Sequence, residues 1–195
     1  ILGANDMYDI IKFRVGITVK KVPALQVAAL APAVGAEVYL LPYSTQKGGN
    51  VTRGKVKKVD NIGGDKYHYY TLDMVLKDKM VSCPVTTADG KVFGVAQKSS
   101  GQDTASISYA AGAAFAMSQN ISALALSDPA LNAIGIKKGL PEDEDQALVY
   151  LFIASTQSTP EAYAIALDDF IKTFPNSADG YLRRAGNYVF ADKDE

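Results

Sequence analysis

The stretch KMVSCPVTTADGKVFGVAQ (79–97) decides how the first two thirds of the chain are read. Val85 and Thr86, then Val92, Phe93 and Val95, are residues that suit a pleated surface, and Ala88-Asp89-Gly90 between them is turn chemistry. The pattern predicts strands near 84–87 and 91–97 joined by a tight hairpin at Asp89-Gly90. Runs of the same kind recur outward from it: YDIIKFRVGITV (8–19), AEVYLLPYS (36–44), GKVKKVDNI (54–62), YHYYTLDMVL (67–76) and ASISYAAGAAF (105–115). KGGN (47–50) and NIGGDK (61–66) separate them with Gly and Asn, which accept positive φ. Short strands at this spacing predict a sandwich or a closed antiparallel barrel.

Beyond residue 120 the period changes to that of helices. QNISALALSDPALNAIG (119–135) reads as a short helix broken at Pro129. In EDEDQALVYLFIASTQ (142–157), Ala147, Tyr150, Leu151 and Ala154 fall at i, i+3, i+4 and i+7. In TPEAYAIALDDFIKTF (159–174), Thr159 suits the N-cap and Pro160 the first helical position. Its apolar face is Tyr163, Leu167, Phe170, Ile171 and Phe174, and Pro175 ends it. SADGYLRRAGNYVF (177–190) is a further helix, with Ser177 as its expected cap. Helices are thus expected over 143–155, 160–174 and 178–189, in antiparallel order.

Composition limits the function classes. The 195 residues carry a formal net charge of −1, which gives a polyanion nothing to grip, so nucleic acid is not an expected partner. The one basic cluster, RGKVKK (53–58), reads as the wet face of a strand. No run approaches the roughly 20 apolar residues of a bilayer span, and no signal peptide is expected within these residues. Cys83 is alone, so it has no partner for a disulfide. No Cys/His spacing suits zinc, and the carboxylates at 142–145 are placed to favour a helix N-terminus rather than calcium. No cofactor is expected. The chain opens on Ile1 within an apparent element, as a piece of a longer protein would.

Residues 1–118 resemble the trypsin-like serine proteases, especially the bacterial envelope type. MYDIIKFRV (7–15) looks like the strand bearing the triad Asp, here Asp9. VGAEVYLLPYSTQKGGNVTRGKVKKV (34–59) is similar to the start of the second barrel, where a Gly-x-x-Val strand leads to a Thr-x-Gly-x-Val strand. YYTLDMVLKDKMVSCPVTTADGKVFGVAQ (69–97) looks like the strand, nucleophile loop and hairpin that follow. The likeness implies a trypsin-like antiparallel β-barrel, with 1–15 the remnant of a first barrel and 16–118 the second. An envelope or periplasmic location follows from the likeness alone. The helical part resembles tetratricopeptide repeats: FPNSADGYLRRAGNY (174–188) is similar to the join between two repeats, a Pro ending one and a large aromatic opening the next. The organisation expected is therefore α+β and multidomain, with barrel 1–118, a connecting helix or linker 119–140, and an incomplete tetratricopeptide-like helical region 141–195.

The likeness also sets a test for chemistry. The family carries its nucleophile in Gly-x-Ser-Gly-x-Pro, and anchoring on Pro84 puts Val81 at the nucleophile position, with Lys79 and Ser82 where glycines stand. A β-branched residue there argues against a working oxyanion hole. A one-residue deletion would bring Ser82 into register as an alternative nucleophile. Cys83, beside Pro84 with no cation to lower its pKa, reads as an inert thiol. His68, the only His, follows Asp9 in sequence, whereas the family's His precedes its Asp.

Three functions stay open. One is a catalytically inactive protease-like barrel fused to a repeat module that binds a protein or peptide. The second is a serine endopeptidase whose His lies upstream, with Ser82 attacking. The third is an assembly component with no peptide ligand. Tyr181, Leu182 and Tyr188 are the expected binding residues on the helices, and unpaired edges of the 1–15 remnant invite a homo-oligomer.

Overall fold

The computed structural model describes residues 1–17, 23–43, 51–98 and 106–191. The expected turn at 47–50 lies outside the described residues. The chain divides into two compact units, one of residues 16–118 and one of residues 1–15 with 119–195.

The first unit is a closed six-stranded antiparallel barrel. β3 (Glu37–Leu40), β4 (Thr52–Ile62), β5 (Tyr67–Asp73), β6 (Pro84–Thr87), β7 (Val92–Gln97) and β8 (Ile107–Gly112) close in the order β3-β4-β5-β8-β7-β6. Period-two patterning builds its interior: Val38 and Leu40, Tyr70 and Leu72, Val85, Phe93, Ala96 and Ala110 all bury inward. The Tyr70 and Phe93 rings meet edge to face, 4.8 Å between centroids. The anticipated hairpin is present. Gly90 takes φ +78°, its N–H donates to Thr87 O at 2.9 Å, and Thr87 N–H donates to Lys91 O at 2.9 Å. The result is a three-residue loop with glycine at the left-handed position. Thr87 and then Lys91 hold the Asp89 carboxyl below the usual carboxylate range. Between β4 and β5, Gly63 and Gly64 take φ +61° and +76°. The basic cluster follows β4 with Arg53, Lys55, Lys57 and Lys58 exposed around buried Val56.

The strand expected over 105–115 stops at Gly112, and Ala113–Ser118 forms helix α1. A Cβ at Gly112 would stand 2.6 Å from His68 O, so the chain there lies against the β5 backbone; the alanines that follow favour a helix.

In the second unit β1 (Gly3–Asn5) pairs with β2 (Ile10–Lys12). Within the strand expected over 8–19, Ile10–Lys12 form β2 after a turn at residues 6–9, and residues 18–19 lie outside the described residues. This hairpin packs with the helices: Ile1 lies in one apolar cluster with Ile121, Ala125, Leu131, Tyr150 and Ala154. Pro129 does not break a helix. It opens α2 (Pro129–Ala133), after a 3-10 turn at Ala125–Ser127, and the Asp128 carboxylate accepts from the N–H groups of Ala130 and Leu131.

Three 14-residue helices follow, α3 (Glu144–Gln157), α4 (Pro160–Thr173) and α5 (Ala178–Ala191). Asp143 caps α3, and Ala147, Tyr150, Leu151 and Ala154 are its buried face. Thr159 caps α4, which buries Leu167 and Phe170. Ser177 does not cap α5 through its hydroxyl, since Ser177 Oγ is buried without a hydrogen-bond partner. The helices pack in chain order, α3 on α4 and α4 on α5. Gly180 permits the second contact, because a Cβ there would stand 2.8 Å from the Phe170 ring.

Candidate functional site

The loop between β5 and β6 is where the sequence places any chemistry. Residues Asp78–Met80 form a 3-10 turn, held at its start by a 2.5 Å ion pair between Asp78 and Lys98. Lys98, by hydrogen bond and charge, keeps the Asp78 carboxyl below the usual range. Val81 follows with extended backbone, φ −63° and ψ 140°. Ser82 then turns into the left-handed region at φ +65°, and Pro84 opens β6. Pro42, Tyr43, Asp78, Lys79, Met80 and Val81 line an open recess of about 470 Å³ beside this loop.

The donors of the loop face inward. Met80 N–H donates to Lys77 O at 2.8 Å, Val81 N–H to Asp78 O at 3.4 Å, Ser82 N–H to Ala96 O at 2.8 Å and Cys83 N–H to Met80 O at 3.2 Å. An oxyanion site needs backbone N–H groups that converge on a point outside the loop. Here a turn and a strand edge take them up.

Cys83 is fully buried, its Sγ 4.0 Å from Lys79 O. Burial pushes its thiol up, against hydrogen bonding from Tyr43 that pulls it down. With no exposed surface, the Cys83 sulfur has no access to a substrate. Tyr43 donates to Val81 O at 3.4 Å, and burial, then Cys83, raise its phenol.

His68 sits half-buried on β5, three strands from β6 in either direction round the barrel. Its Nδ1 lies 3.2 Å from Asn61 Oδ1, and its ring packs edge to face on Tyr70. Asp9 belongs to the other unit, in the β1–β2 turn, where it takes φ +48°. It lines a recess of about 360 Å³ with Asp6 and Asp128. Val81, Ser82 and Cys83 are thus adjacent by sequence, while His68 stands on another wall of the barrel. Among the described residues no group of three or more His, Cys, Asp or Glu is arranged to hold a metal. No helix among them is long and apolar enough to cross a membrane.

On α5, Tyr181, Leu182 and Tyr188 are 51%, 70% and 56% exposed. Residues 181, 185, 188 and 189 fall on one helical face, and all four are exposed. What the sequence reading missed is the opposite face, where Gly180, Arg183 and Asn187 turn toward α3 and α4. No apolar period marks it.

The Ser82 backbone yields a direct prediction. Ser82→Val should cost about 1–2 kcal/mol in urea unfolding, because a β-branched residue is strained at positive φ. An ordinary exposed position would change by less than about 0.5 kcal/mol. A neutral Ser82→Val would mean that the left-handed turn is absent.

No protein-family model matches the chain, and no curated protein matches it. Among solved structures it is similar to a mutant of Rv3671c from M. tuberculosis H37Rv in its inactive form, at 23% identity and TM-score 0.41, over 60% of this chain and 57% of that one. It is similar to the active form of the Rv3671c protease at 25% identity and TM-score 0.41, over 50% and 47%. A third likeness is to the HtrA-type protease AlgW with a decapeptide, at 17% identity and TM-score 0.41, over 51% and 33%. The matched region is thus little more than half of the first of these chains. Similarity at this level assigns no activity.

Proposed function

We propose that the chain is a catalytically inactive, trypsin-like barrel joined to a tetratricopeptide-type helical unit, and that it acts by binding a protein or peptide. The observation that carries this is the loop ahead of β6. With Pro84 as anchor, Val81 takes the nucleophile position and offers no atom that can attack a carbonyl. Ser82 then stands where the family has a glycine, and its φ of +65° is a glycine-like value, which supports that register. The N–H groups around it are bound to carbonyls of the same unit. His68 is three strands away. Residues 1–15, in this reading, are what is left of a preceding barrel.

The binding role is supported by α3, α4 and α5. The starts of α3 and α5, at residues 144 and 178, are spaced as in a roughly 34-residue tetratricopeptide unit. Tyr181, Leu182 and Tyr188 present aromatic and aliphatic surface without burying it, as a docking face would.

One observation favours the endopeptidase reading instead. Ser82 is exposed and held in a sparsely populated conformation, as nucleophiles on sharp turns are. In that reading Ser82 attacks the scissile carbonyl and a His lying upstream of Ile1 takes its proton. A fluorophosphonate probe on the intact protein separates the two. The expected result is no adduct on the peptide containing Ser82, the same as in a Ser82→Ala variant. An adduct on Ser82 replaces the first reading with the second.

A further inference from the structure

Tyr150 buries a hydroxyl that nothing in the helical unit takes up. The residue lies on the buried face of α3, 5% exposed, in one cluster with Ile121, Leu131 and Ala154. Among the described residues its hydroxyl makes no hydrogen bond. The unpartnered Ser177 Oγ is sealed from solvent, whereas the Tyr150 oxygen is not, so a small molecule can reach it. Burial first, then the charge of Asp169, pushes the phenol up to about 12. At neutral pH it therefore keeps its proton and is a donor. Buried phenols in native structures usually find an acceptor.

The phenol borders a cavity of about 350 Å³ between α3, α4 and the segment 126–140. The walls are chiefly apolar, with Leu126 and Leu140 from the segment, Ala154 from α3, and Ala162 and Ile165 from α4. Volume and lining are those of a small-molecule site, mostly apolar with a few polar groups. A single water needs only about 10–15 Å³ and several polar partners, so water does not account for this space. The lining also holds two lysines and one aspartate. Lys137 neutralises Asp169, Nζ to Oδ2 at 2.5 Å. Lys138 is half-buried, and its Nζ donates to Ile134 O at 3.0 Å. No carboxylate among the described lining residues is left for it, so the cavity carries one uncompensated positive charge.

We propose that this cavity binds a small amphiphile, an apolar body carrying one carboxylate. The body packs on Leu126, Leu140 and Ile165, and the carboxylate accepts from the Tyr150 hydroxyl and the Lys138 ammonium. The apolar walls select against a small inorganic anion, which has nothing to bury there. The single surplus charge selects one carboxylate: a neutral or cationic amphiphile leaves Lys138 uncompensated. The site shares no residue with the nucleophile loop or with the exposed face of α5, so it stands independently of the proposed function.

The test uses the full chain, labelled with ¹³C, and follows the methyl signals of Leu126, Leu140 and Ile165 during titration with octanoate below its micellar concentration. Octanamide keeps the body without the charge, and acetate keeps the charge without the body. Saturable shifts are expected with octanoate, binding about tenfold weaker or more with octanamide, and no shift with acetate. Tyr150→Phe removes only the hydroxyl and should weaken octanoate binding about tenfold. Because that hydroxyl has no protein partner, the variant should keep the circular dichroism and melting temperature of the parent. Lys138→Met should bring octanoate and octanamide to similar affinity. Ala162→Phe places a ring in the cavity from an exposed helix position and should abolish both titrations. The proposal is overturned by the absence of a saturable octanoate shift, by octanamide binding as tightly as octanoate, or by undiminished octanoate binding in Tyr150→Phe or Ala162→Phe. A lower melting temperature for Tyr150→Phe would show that the hydroxyl serves the fold, and would overturn it as well.

Discussion

Phe170→Ala should destabilise the helical unit by about 3–5 kcal/mol, the range for removing a fully buried aromatic ring. Phe170 has no exposed surface and shares its cluster with Ala147, Leu151 and Leu167. Its ring also meets Phe174, 5.0 Å between centroids, and supports the α5 backbone at Gly180. Removing it therefore opens a cavity under three helices at once. Each of these helices has 14 residues, and isolated helices under about 12–15 residues are marginal in water, so none can hold its shape without the shared core. Urea unfolding followed by circular dichroism at 222 nm should show a transition shifted to lower denaturant. Phe170→Leu, which keeps most of the volume, should lose much less. An unshifted transition for Phe170→Ala would mean that α5 does not rest on this ring.

Local chemistry made the hairpins and long helices legible. Asp89-Gly90 fixes a turn within five residues, and Asp143 and Thr159-Pro160 mark helix starts by satisfying N–H groups that any helix leaves open. Pro129 was misread because a proline that interrupts a helix and one that opens a helix look alike until Asp128 is seen to accept from Ala130 and Leu131. The packing of residues 1–15 was not legible either. Ile1 meets Ile121 and Tyr150 through long-range apolar contact, which leaves no period in the sequence. The candidate site divides the same way. Pro84 and the hairpin after it set the loop's place, so Val81, Ser82 and Cys83 could be named. Where their N–H groups point depends on Ala96 and on the 3-10 turn, and that is a matter of folding. Arg183 was hidden for a simpler reason: a charged residue between Leu182 and Arg184 reads as solvated surface, whereas its Nε is shut off from solvent.

The glycine of Thr52-Arg53-Gly54-Lys55-Val56 gains its physical meaning from the barrel. Gly54 pairs with Val38 on β3, on the side of β4 away from β5. A Cβ at Gly54 would lie 2.4 Å from Asp73 O and 2.9 Å from Met74 Cβ, at the end of β5. Both distances are shorter than contacting atoms allow, and one obstacle is backbone, which cannot rotate aside. β4 is also irregular just beyond, where its register against β5 shifts between Val56 and Lys58. This crossing brings the two strands close enough to turn the sheet toward closure, a place where strands carry glycine. Gly54→Val should therefore force β4 and β5 apart and cost about 3 kcal/mol, the upper end of ordinary overpacking. Valine's better strand propensity, worth at most about 1 kcal/mol, does not offset it. Gly54→Ala should cost less, because its single methyl demands a smaller shift. Thermal unfolding of the two variants beside the parent reads the difference, and amide exchange at Val56 and Leu72 should speed up in Gly54→Val as the strand pair loosens. If Gly54→Val melts with the parent and keeps slow exchange, β4 and β5 do not approach here, and the tight closure of the barrel at this corner is wrong.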